Sequence, residues 1–136
     1  MTQLVDNENL NRFLNGFYRE SDVKPPVEND PYLSYLTNEA KLVMGSTVFD
    51  GKAEIAQMRQ NMWTKVTKRH HVVEKVAFVN PKEVLLTGYV EYTLFNGKTL
   101  TSAFAGNAVF ENDDFKKMSL YHVYLDTAPM AAALSS

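Results

Sequence analysis

The sequence predicts an α+β fold in which helices pack on one face of a curved antiparallel sheet. Apolar residues recur at helical spacing in the first half of the chain, and from residue 70 onward they alternate with a period of two. An Asn-Gly pair, Asn96-Gly97, stands between two alternating segments and is a strong hairpin signal. With 136 residues and no repeat or linker, the chain is predicted to form one domain, residues 1–136, with one core.

Three helices are predicted before the main part of the sheet. The first covers residues 7–20, and Asn7 is its expected N-cap. A short helix at 30–37 follows an Asp-Pro start signal, a strand is predicted at 40–49, and a long helix at 52–69. The apolar stripe of the first helix is formed by Leu10, Phe13, Leu14 and Phe17.

An antiparallel meander is predicted over residues 70–126, followed by a tail at 127–136. The turn signals between its strands are short, which is typical of neighbouring antiparallel strands. The four strands are expected at roughly 70–79, 84–95, 98–110 and 116–126.

Composition excludes several classes of function. The net charge of -2 gives no concentrated basic surface for a nucleic acid, so no nucleic-acid partner is expected. The chain has no cysteine, which removes disulfides, thiolate zinc sites and cysteine nucleophiles. No segment has the apolar length of a membrane span, and the N-terminus is polar and acidic. We therefore expect a cytoplasmic protein without a membrane partner.

The Asn96-Gly97 turn also predicts which side chains face the helices. A two-residue loop pairs Phe95 with Lys98, so Tyr92 shares a face with small residues of the next strand. Extending this register in both directions places six polar residues on the concave face: His71, Tyr92, Asn107, His122, Tyr124 and Asp126. Small residues beside a few polar groups are typical of a small-molecule pocket.

The same register places Tyr89 and Phe104 on the opposite face of the sheet. Aromatic residues on an outer face indicate a contact surface, so a homodimer through this face is expected.

His70 and His71 are two of the three histidines in the chain. Neighbouring residues of a strand point to opposite faces, so the two cannot easily share a metal ion, and no metal site is expected. His70 is predicted to lie at a helix end or on the surface. His71 is either a second exposed residue or a pocket residue that transfers protons, because histidine titrates near neutral pH.

Several other side chains are candidates for a pocket. Asp126 either acts as an acid/base or begins the turn before Pro129. Tyr18 and Tyr92 either donate hydrogen bonds to a developing enolate or pack in the core with a satisfied hydroxyl. Trp63 is expected as core or as pocket wall.

Several motifs resemble the nuclear transport factor 2-like superfamily, and above all its SnoaL-like polyketide cyclases and scytalone dehydratase. The closing motif resembles SnoaL-like proteins of fungal secondary metabolism. Together the motifs span nearly the whole chain: "FYRESD", "TVFDGKAEI", "RHHVVEKV", "LLTGYVEYTLFNGK" and "YHVYLDTAPM". The resemblance implies a cone-shaped α+β fold with a pocket between the sheet and the helices.

The resemblance also implies roles for individual residues. His71 is similar to the catalytic histidine of scytalone dehydratase, and Tyr18 to the tyrosine that helps to hold its catalytic water. Asn107 is similar to its pocket asparagine, while Asp126 resembles the general acid/base of SnoaL-type cyclases. Three positions depart from the dehydratase, which argues against scytalone itself as substrate: Arg19 in place of an acid, Met44 in place of a second tyrosine, and Asn96 nearest to a second histidine.

The expected function is therefore that of a cofactor-free acid/base enzyme. It would cyclise, isomerise or dehydrate a small, largely apolar biosynthetic intermediate of polyketide or terpenoid type. Asp126, His71 and Tyr18 are the expected catalytic residues, and the expected substrate contacts are Asn107, His122, Tyr124, Tyr92 and Trp63. The alternative is a non-catalytic module of the same fold that binds a small ligand or a protein. No glycine-rich phosphate loop supports a nucleotide cofactor.

Overall fold

A strongly curved mixed sheet carries the helices on its concave side. The structure is a computed structural model and describes residues 4–135. Within these residues the sheet has six strands in the order β2-β1-β6-β5-β4-β3, and β1 runs parallel to β6 while the other pairs are antiparallel. The strands are β1 (Leu36–Met44), β2 (Thr47–Asp50), β3 (Val66–Asn80), β4 (Glu83–Leu94), β5 (Thr99–Phe110) and β6 (Met118–Leu125).

The helices are α1 (Glu8–Ser21), a 3₁₀ helix (Pro31–Tyr35), α2 (Gly51–Met62) and α3 (Ala128–Ser135). The side chain of Asn7 accepts the N–H of Leu10 at 3.0 Å, as an N-cap does. The predicted apolar stripe of α1 is fully buried against the sheet. Burying one such side chain stabilises the fold by about 1.5–3 kcal/mol. Within residues 4–135 no helix combines the length and apolar character that crossing a bilayer requires.

The long helix predicted over 52–69 ends much earlier, at Met62. The residues that follow include the β-branched Thr64, Val66 and Thr67, which favour a strand over a helix. β3 therefore begins at Val66, and both His70 and His71 lie inside it. His70, predicted to lie at a helix end or on the surface, is a surface residue within this strand.

Two other predicted segments also differ from the structure. The strand predicted at 40–49 is a hairpin, because a turn at Gly45, with φ of +59°, separates β1 from β2. The tail predicted at 127–136 contains α3, whose partly buried Met130, Ala133 and Leu134 pack on the core. Residue 136 lies outside the described residues.

The β4–β5 turn has three residues, not two. Leu94 N–H donates to the Lys98 carbonyl, and Gly97, with φ of +85°, donates to the Leu94 carbonyl. Phe95 therefore belongs to the loop, as in hairpins with a left-handed glycine in third position. Tyr92 pairs with Leu100 and Gly88 with Phe104. This one-residue difference reverses the predicted faces of β5.

Phe104 accordingly points inward and is buried. Its predicted place on the outer face is wrong, and it adds nothing to a subunit contact there.

The predicted inner position of Asn107, His122 and Tyr124 is also wrong, and Asp126, predicted on the same face, lies beyond the end of β6 and is exposed. Asn107 pairs with His122, and Ala105 pairs with Tyr124. Asn107, His122 and Tyr124 therefore share one face of the sheet, as predicted, but this face is the outer one. The inner face of β6 is formed by Tyr121, Val123 and Leu125.

A bulge in β3 determines which of its side chains point towards the core. The register shifts by one residue between Val73 and Lys75, around Glu74. Because of the extra residue, both His71 and Val76 lie on the inner face, opposite Val90 and Leu86. The strand thereby carries a polar inner half and an apolar inner half.

Candidate active site

The inner face of the sheet encloses a small cavity of about 40 Å³. It lies between the end of α1, the 3₁₀ helix, α2 and five strands. The volume holds a water molecule or two. Three methionines, Met44, Met58 and Met62, form part of its wall. Its polar wall is formed by Ser21, Tyr32, Arg59, Arg69, His71, Tyr92 and Tyr121.

His71 is held in one orientation by Asp22. The Nδ1 of His71 lies 2.6 Å from one carboxylate oxygen of Asp22, and the other oxygen accepts the His71 backbone N–H at 2.9 Å. A carboxylate only accepts, so Nδ1 carries the proton and Nε2 keeps its lone pair. Burial lowers the pKa of His71 below its usual 6.5, and the charge of Arg69 lowers it further, while the bond to Asp22 opposes both. The neutral form of His71 is therefore favoured, and Asp22 sets the orientation of its ring.

Sequence reasoning missed Asp22 because it belongs to no helix or strand interior. It is the C-cap of α1, and its N–H donates to the Tyr18 and Glu20 carbonyls. The available signal was its spacing from Tyr18. Residues four apart project from the same side of a helix. An acid at position 22 therefore reaches His71, the residue that Tyr18 also contacts.

Tyr18 and Tyr121 form a second buried pair. Their hydroxyl oxygens lie 2.6 Å apart, and both side chains are about 5% exposed. The Tyr18 ring lies 5.0 Å from the His71 ring, and Phe104 meets the same imidazole edge-on at 5.3 Å. Burial raises the pKa of both tyrosines well above the usual range, so both keep their protons. Tyr121 was missed because the predicted faces of β6 were reversed.

Two arginines lie under the end of α1. Arg59 is bound by both carboxylate oxygens of Asp30, at 2.7 and 3.2 Å, and donates to the Glu20 and Ser21 carbonyls. Its guanidinium also lies 4.1 Å from the centre of the Tyr32 ring. Burial raises the pKa of Tyr32 to about 12, and the charge of Arg59 moderates that rise. This cluster ties α1, the 3₁₀ helix and α2 together.

Arg69 has weaker partners. One terminal nitrogen donates to the Ser21 carbonyl and, at 2.9 Å, to the Ser21 hydroxyl, and the other contacts the sulfur of Met62. Its Nε lies 3.8 Å from Asp22, outside hydrogen-bond distance. Burial lowers the pKa of Arg69, while the nearby Tyr92, Tyr32 and Asp22 oppose this shift.

Comparison with known proteins gives a clear answer at the level of structure. A nuclear transport factor 2-like protein of unknown function from Burkholderia pseudomallei matches with a TM-score of 0.77 at 16% identity, over 94% of this chain and 98% of that one. A putative SnoaL-like polyketide cyclase from Jannaschia matches with a TM-score of 0.73 at 9% identity, over 100% and 98%. The chain has the nuclear transport factor 2-like fold. The predicted fold class is thus confirmed.

A third structure of this fold is TerC, co-crystallised with polyporic acid. It matches with a TM-score of 0.74 at 17% identity, over 95% of this chain and 97% of that one. No model of a known sequence family matches the chain, and no curated protein does either.

Within this nuclear transport factor 2-like fold, the remaining predicted site residues divide into two groups. Tyr92 lies on the inner face opposite Arg69, and burial raises its pKa. Trp63 is 7% exposed and lines a cleft of about 720 Å³ that shares Arg69 and Tyr92 with the cavity. His70 is exposed and contacts Glu91 at 3.1 Å. Within residues 4–135, no three His, Asp or Glu side chains cluster as metal ligands would.

The second group lies away from His71, with Asn107, His122 and Tyr124 on the outer face of the sheet and Asp126 just beyond the end of β6. His122 Nε2 donates to the Gly45 carbonyl, and the Tyr124 hydroxyl donates to His122 Nδ1 at 3.1 Å. Asn107 donates to Glu83 and to a backbone carbonyl. Asp126 accepts the Ala128 N–H at 3.0 Å, as an aspartate that begins a turn does. None of these four residues lines the cavity that His71 lines.

Proposed function

We propose that the protein is a cofactor-free acid/base enzyme in which His71 removes a proton from carbon. The bond between Asp22 and His71 Nδ1 carries this proposal, because it leaves Nε2 as an acceptor on an otherwise donor-rich wall. Within residues 4–135, Nε2 has no hydrogen-bond partner. A desolvated neutral imidazole is a suitable base near neutral pH.

Tyr121 and Tyr18 would stabilise the charge that this step creates. When His71 takes the proton of a carbon next to a carbonyl, the electron pair of the C–H bond moves to the carbonyl oxygen. The two hydroxyls share one hydrogen bond, so the accepting partner keeps its own O–H for another acceptor. Tyr121 lines the cavity and can present that O–H to the enolate oxygen. The proton then returns to another carbon, or to a departing hydroxyl as water.

The substrate is a small, largely apolar intermediate of polyketide or terpenoid type, and the reaction is an isomerisation, cyclisation or dehydration. The cavity must widen to admit it. Met44, Met58 and Met62 support this, since unbranched thioether chains adapt to irregular shapes. Two proteins of this fold also support a small organic substrate: the putative SnoaL-like polyketide cyclase and TerC with polyporic acid. We propose that the chain belongs with the SnoaL-like and scytalone dehydratase-like proteins of secondary metabolism. We also propose that it acts in the cytoplasm.

Hydrogen exchange tests the proposal without knowledge of the substrate. Small aryl ketones and cyclic diketones are incubated in D₂O with the protein, and deuterium at the carbon next to the carbonyl is followed by NMR. We expect catalysed exchange that falls by about a hundredfold or more in His71→Gln. Asp22→Asn should lose about tenfold or more, because the ring loses its orienting acceptor.

His70→Gln is the matched control, since it changes the neighbouring histidine on the exposed face. It should exchange at the wild-type rate, and so should Asp126→Asn. Equal exchange in wild type and His71→Gln would contradict the proposal. If Asp126→Asn loses exchange and His71→Gln does not, Asp126 is the base.

A binding module without catalysis is the second candidate. The cleft of about 720 Å³ favours it, because this cleft has room for a small ligand and His71 does not line it. A binding module predicts saturable ligand binding with no exchange above that of buffer.

We also propose a homodimer through the outer sheet face. Leu85 and Tyr124 are each about half exposed there. Light scattering after size exclusion should show a dimer that Leu85→Glu breaks and the exposed Val27→Glu does not.

A further inference from the structure

Two residues that line the cleft each carry a buried nitrogen that has no hydrogen-bond partner among residues 4–135. The two nitrogens are Trp63 Nε1 and Arg69 Nε. The side chains are 7% and 8% exposed. Buried polar atoms are nearly always satisfied in folded proteins, so two in one place need an explanation. We propose that Trp63 and Arg69 bind the carboxylate of a small organic acid.

The other donors of Arg69 explain why its Nε is the one left over. One terminal nitrogen is committed to Ser21, and the other meets only the Met62 sulfur, a weak acceptor that a carboxylate oxygen can displace. Asp22 is the nearest acid, yet its two oxygens are occupied by His71 and lie too far from Nε for a hydrogen bond. Arg69 therefore keeps an unused donor, while its charge is paired with a carboxylate, Asp22, that also binds His71.

The cleft around these donors favours an anion. Lys24, Lys68 and Arg69 line it, against two acids, Asp22 and Glu91. Both acids have histidine partners, whereas Lys24 and Lys68 have no ion-pair partner within residues 4–135. The cations line this cleft, where they raise the local concentration of negatively charged ligands.

Carboxylate is the ligand chemistry that fits best. Trp63 Nε1 and Arg69 Nε can only donate, so the ligand must accept, and the guanidinium charge favours an anionic oxygen over an amide or ester. Arg69 and His71 alternate along β3, which separates their side chains by about 7 Å. The interpretation of this subsite as a substrate anchor rests on the proposed function, in which His71 is the base. The carboxylate of the substrate then lies several bonds from the carbon that loses its proton.

Trp63 is the one tryptophan in the sequence, so its fluorescence reports on this subsite directly. The probes are benzoate, 3-phenylpropanoate and 4-phenylbutanoate, each compared with its neutral amide. We expect at least one acid to change the emission saturably and to bind at least tenfold more tightly than its amide. Added salt should weaken the acid and leave the amide unchanged. If no acid of the three exceeds its amide, the proposal is wrong.

Variants separate this subsite from the proton-transfer site. Arg69→Gln should weaken the acid by about tenfold or more, while Lys82→Gln removes one charge at the far end of the β3–β4 hairpin and should not. If Arg69→Gln fails to fold, Trp63→Phe decides by calorimetry, with weaker acid binding expected. Unchanged acid binding in the folded variant overturns the proposal.

His71→Gln should keep its affinity for the acid. Binding without hydrogen exchange would thus reject only the proposed function. Exchange without preference for acids would reject only the carboxylate subsite.

Discussion

Arg59 and Arg69 are two buried arginines under the same helix end, and they differ in how completely they are matched. Both donate to the Ser21 carbonyl at the end of α1. Arg59 has its own carboxylate, Asp30, on two nitrogens, and stacks on Tyr32. Arg69 shares Asp22 with His71 and lies 5.5 Å from the centre of the Trp63 ring, and within residues 4–135 its Nε has no hydrogen-bond partner.

The difference indicates which arginine serves the fold and which serves a ligand. A buried charge is tolerated when it is paired and hydrogen-bonded on all sides, as Arg59 is. An incompletely matched charge costs stability, and such a cost persists most often at functional sites. Arg69, two residues from His71 and at the boundary between cavity and cleft, fits the second description.

The strongest way to test this comparison is to remove Arg59. Arg59→Met leaves Asp30 buried without its cation and removes the Arg59 hydrogen bonds to the carbonyls of Glu20 and Ser21. We expect a loss of about 3–5 kcal/mol in the free energy of unfolding, measured by urea denaturation. The control is Arg12→Met, which breaks an exposed pair with Glu8 and should cost about 0.5 kcal/mol or less. A loss near that of the control would mean that Asp30 is not held by Arg59.

Arg69→Met should cost far less. The variant loses the bonds to Ser21 but also removes a charge that the protein does not fully compensate, and these effects partly cancel. We expect a change of about 1 kcal/mol or less in the same urea experiment. If Arg69→Met destabilises the protein as much as Arg59→Met, the distinction between the two arginines fails.

The smallest expected effect is on the pKa of His71. It is also the most specific test of the comparison between the two arginines, because Arg69 acts on this pKa. Burial lowers the pKa of His71, the charge of Arg69 adds to this, and Asp22 raises it. Arg69→Met should therefore raise the pKa of His71, and Asp22→Asn should lower it. NMR titration of the imidazole Cε1–H measures both, and Arg59→Lys, which keeps a positive charge, serves as the control. A fall in the pKa on removing Arg69 would contradict this arrangement.

The same titration has a defined effect on stability. The folded-state pKa of His71 lies below its usual 6.5, so the unfolded chain takes up the proton first. The contribution of His71 is complete above pH 6.5 and is lost as the pH falls towards the folded pKa. His71→Gln should flatten this part of the stability profile.

The sequence predicted the fold well because helical and alternating periods are properties of long segments. α1 has the predicted apolar stripe and N-cap, and β4 alternates as expected. Register depends instead on single residues in turns. Whether Phe95 belongs to a strand or to the loop is decided by the conformation of Gly97, and that one choice reversed the inner face of β5.

The candidate site shows the same contrast. His71 and Tyr18 could be singled out because histidine and tyrosine have distinctive chemistry and the motifs around them resemble those of enzymes. Asp22 and Tyr121 were missed, because their positions depend on where α1 ends and on the face of β6. Arg69 was hidden for a similar reason, since the helix predicted through residue 69 gave it no strand partner.

The bond from the His71 backbone to Asp22 also bears on self-association. β3 is the last strand of the sheet, and its outer edge presents N–H groups that another chain could pair with. Asp22 occupies the N–H of His71, and the bulge at Glu74 with the adjacent Lys75 interrupts the edge a few residues later. The carboxylate that orients the imidazole thus also blocks strand addition, so a variant such as Asp22→Ala would expose the edge and favour aggregation.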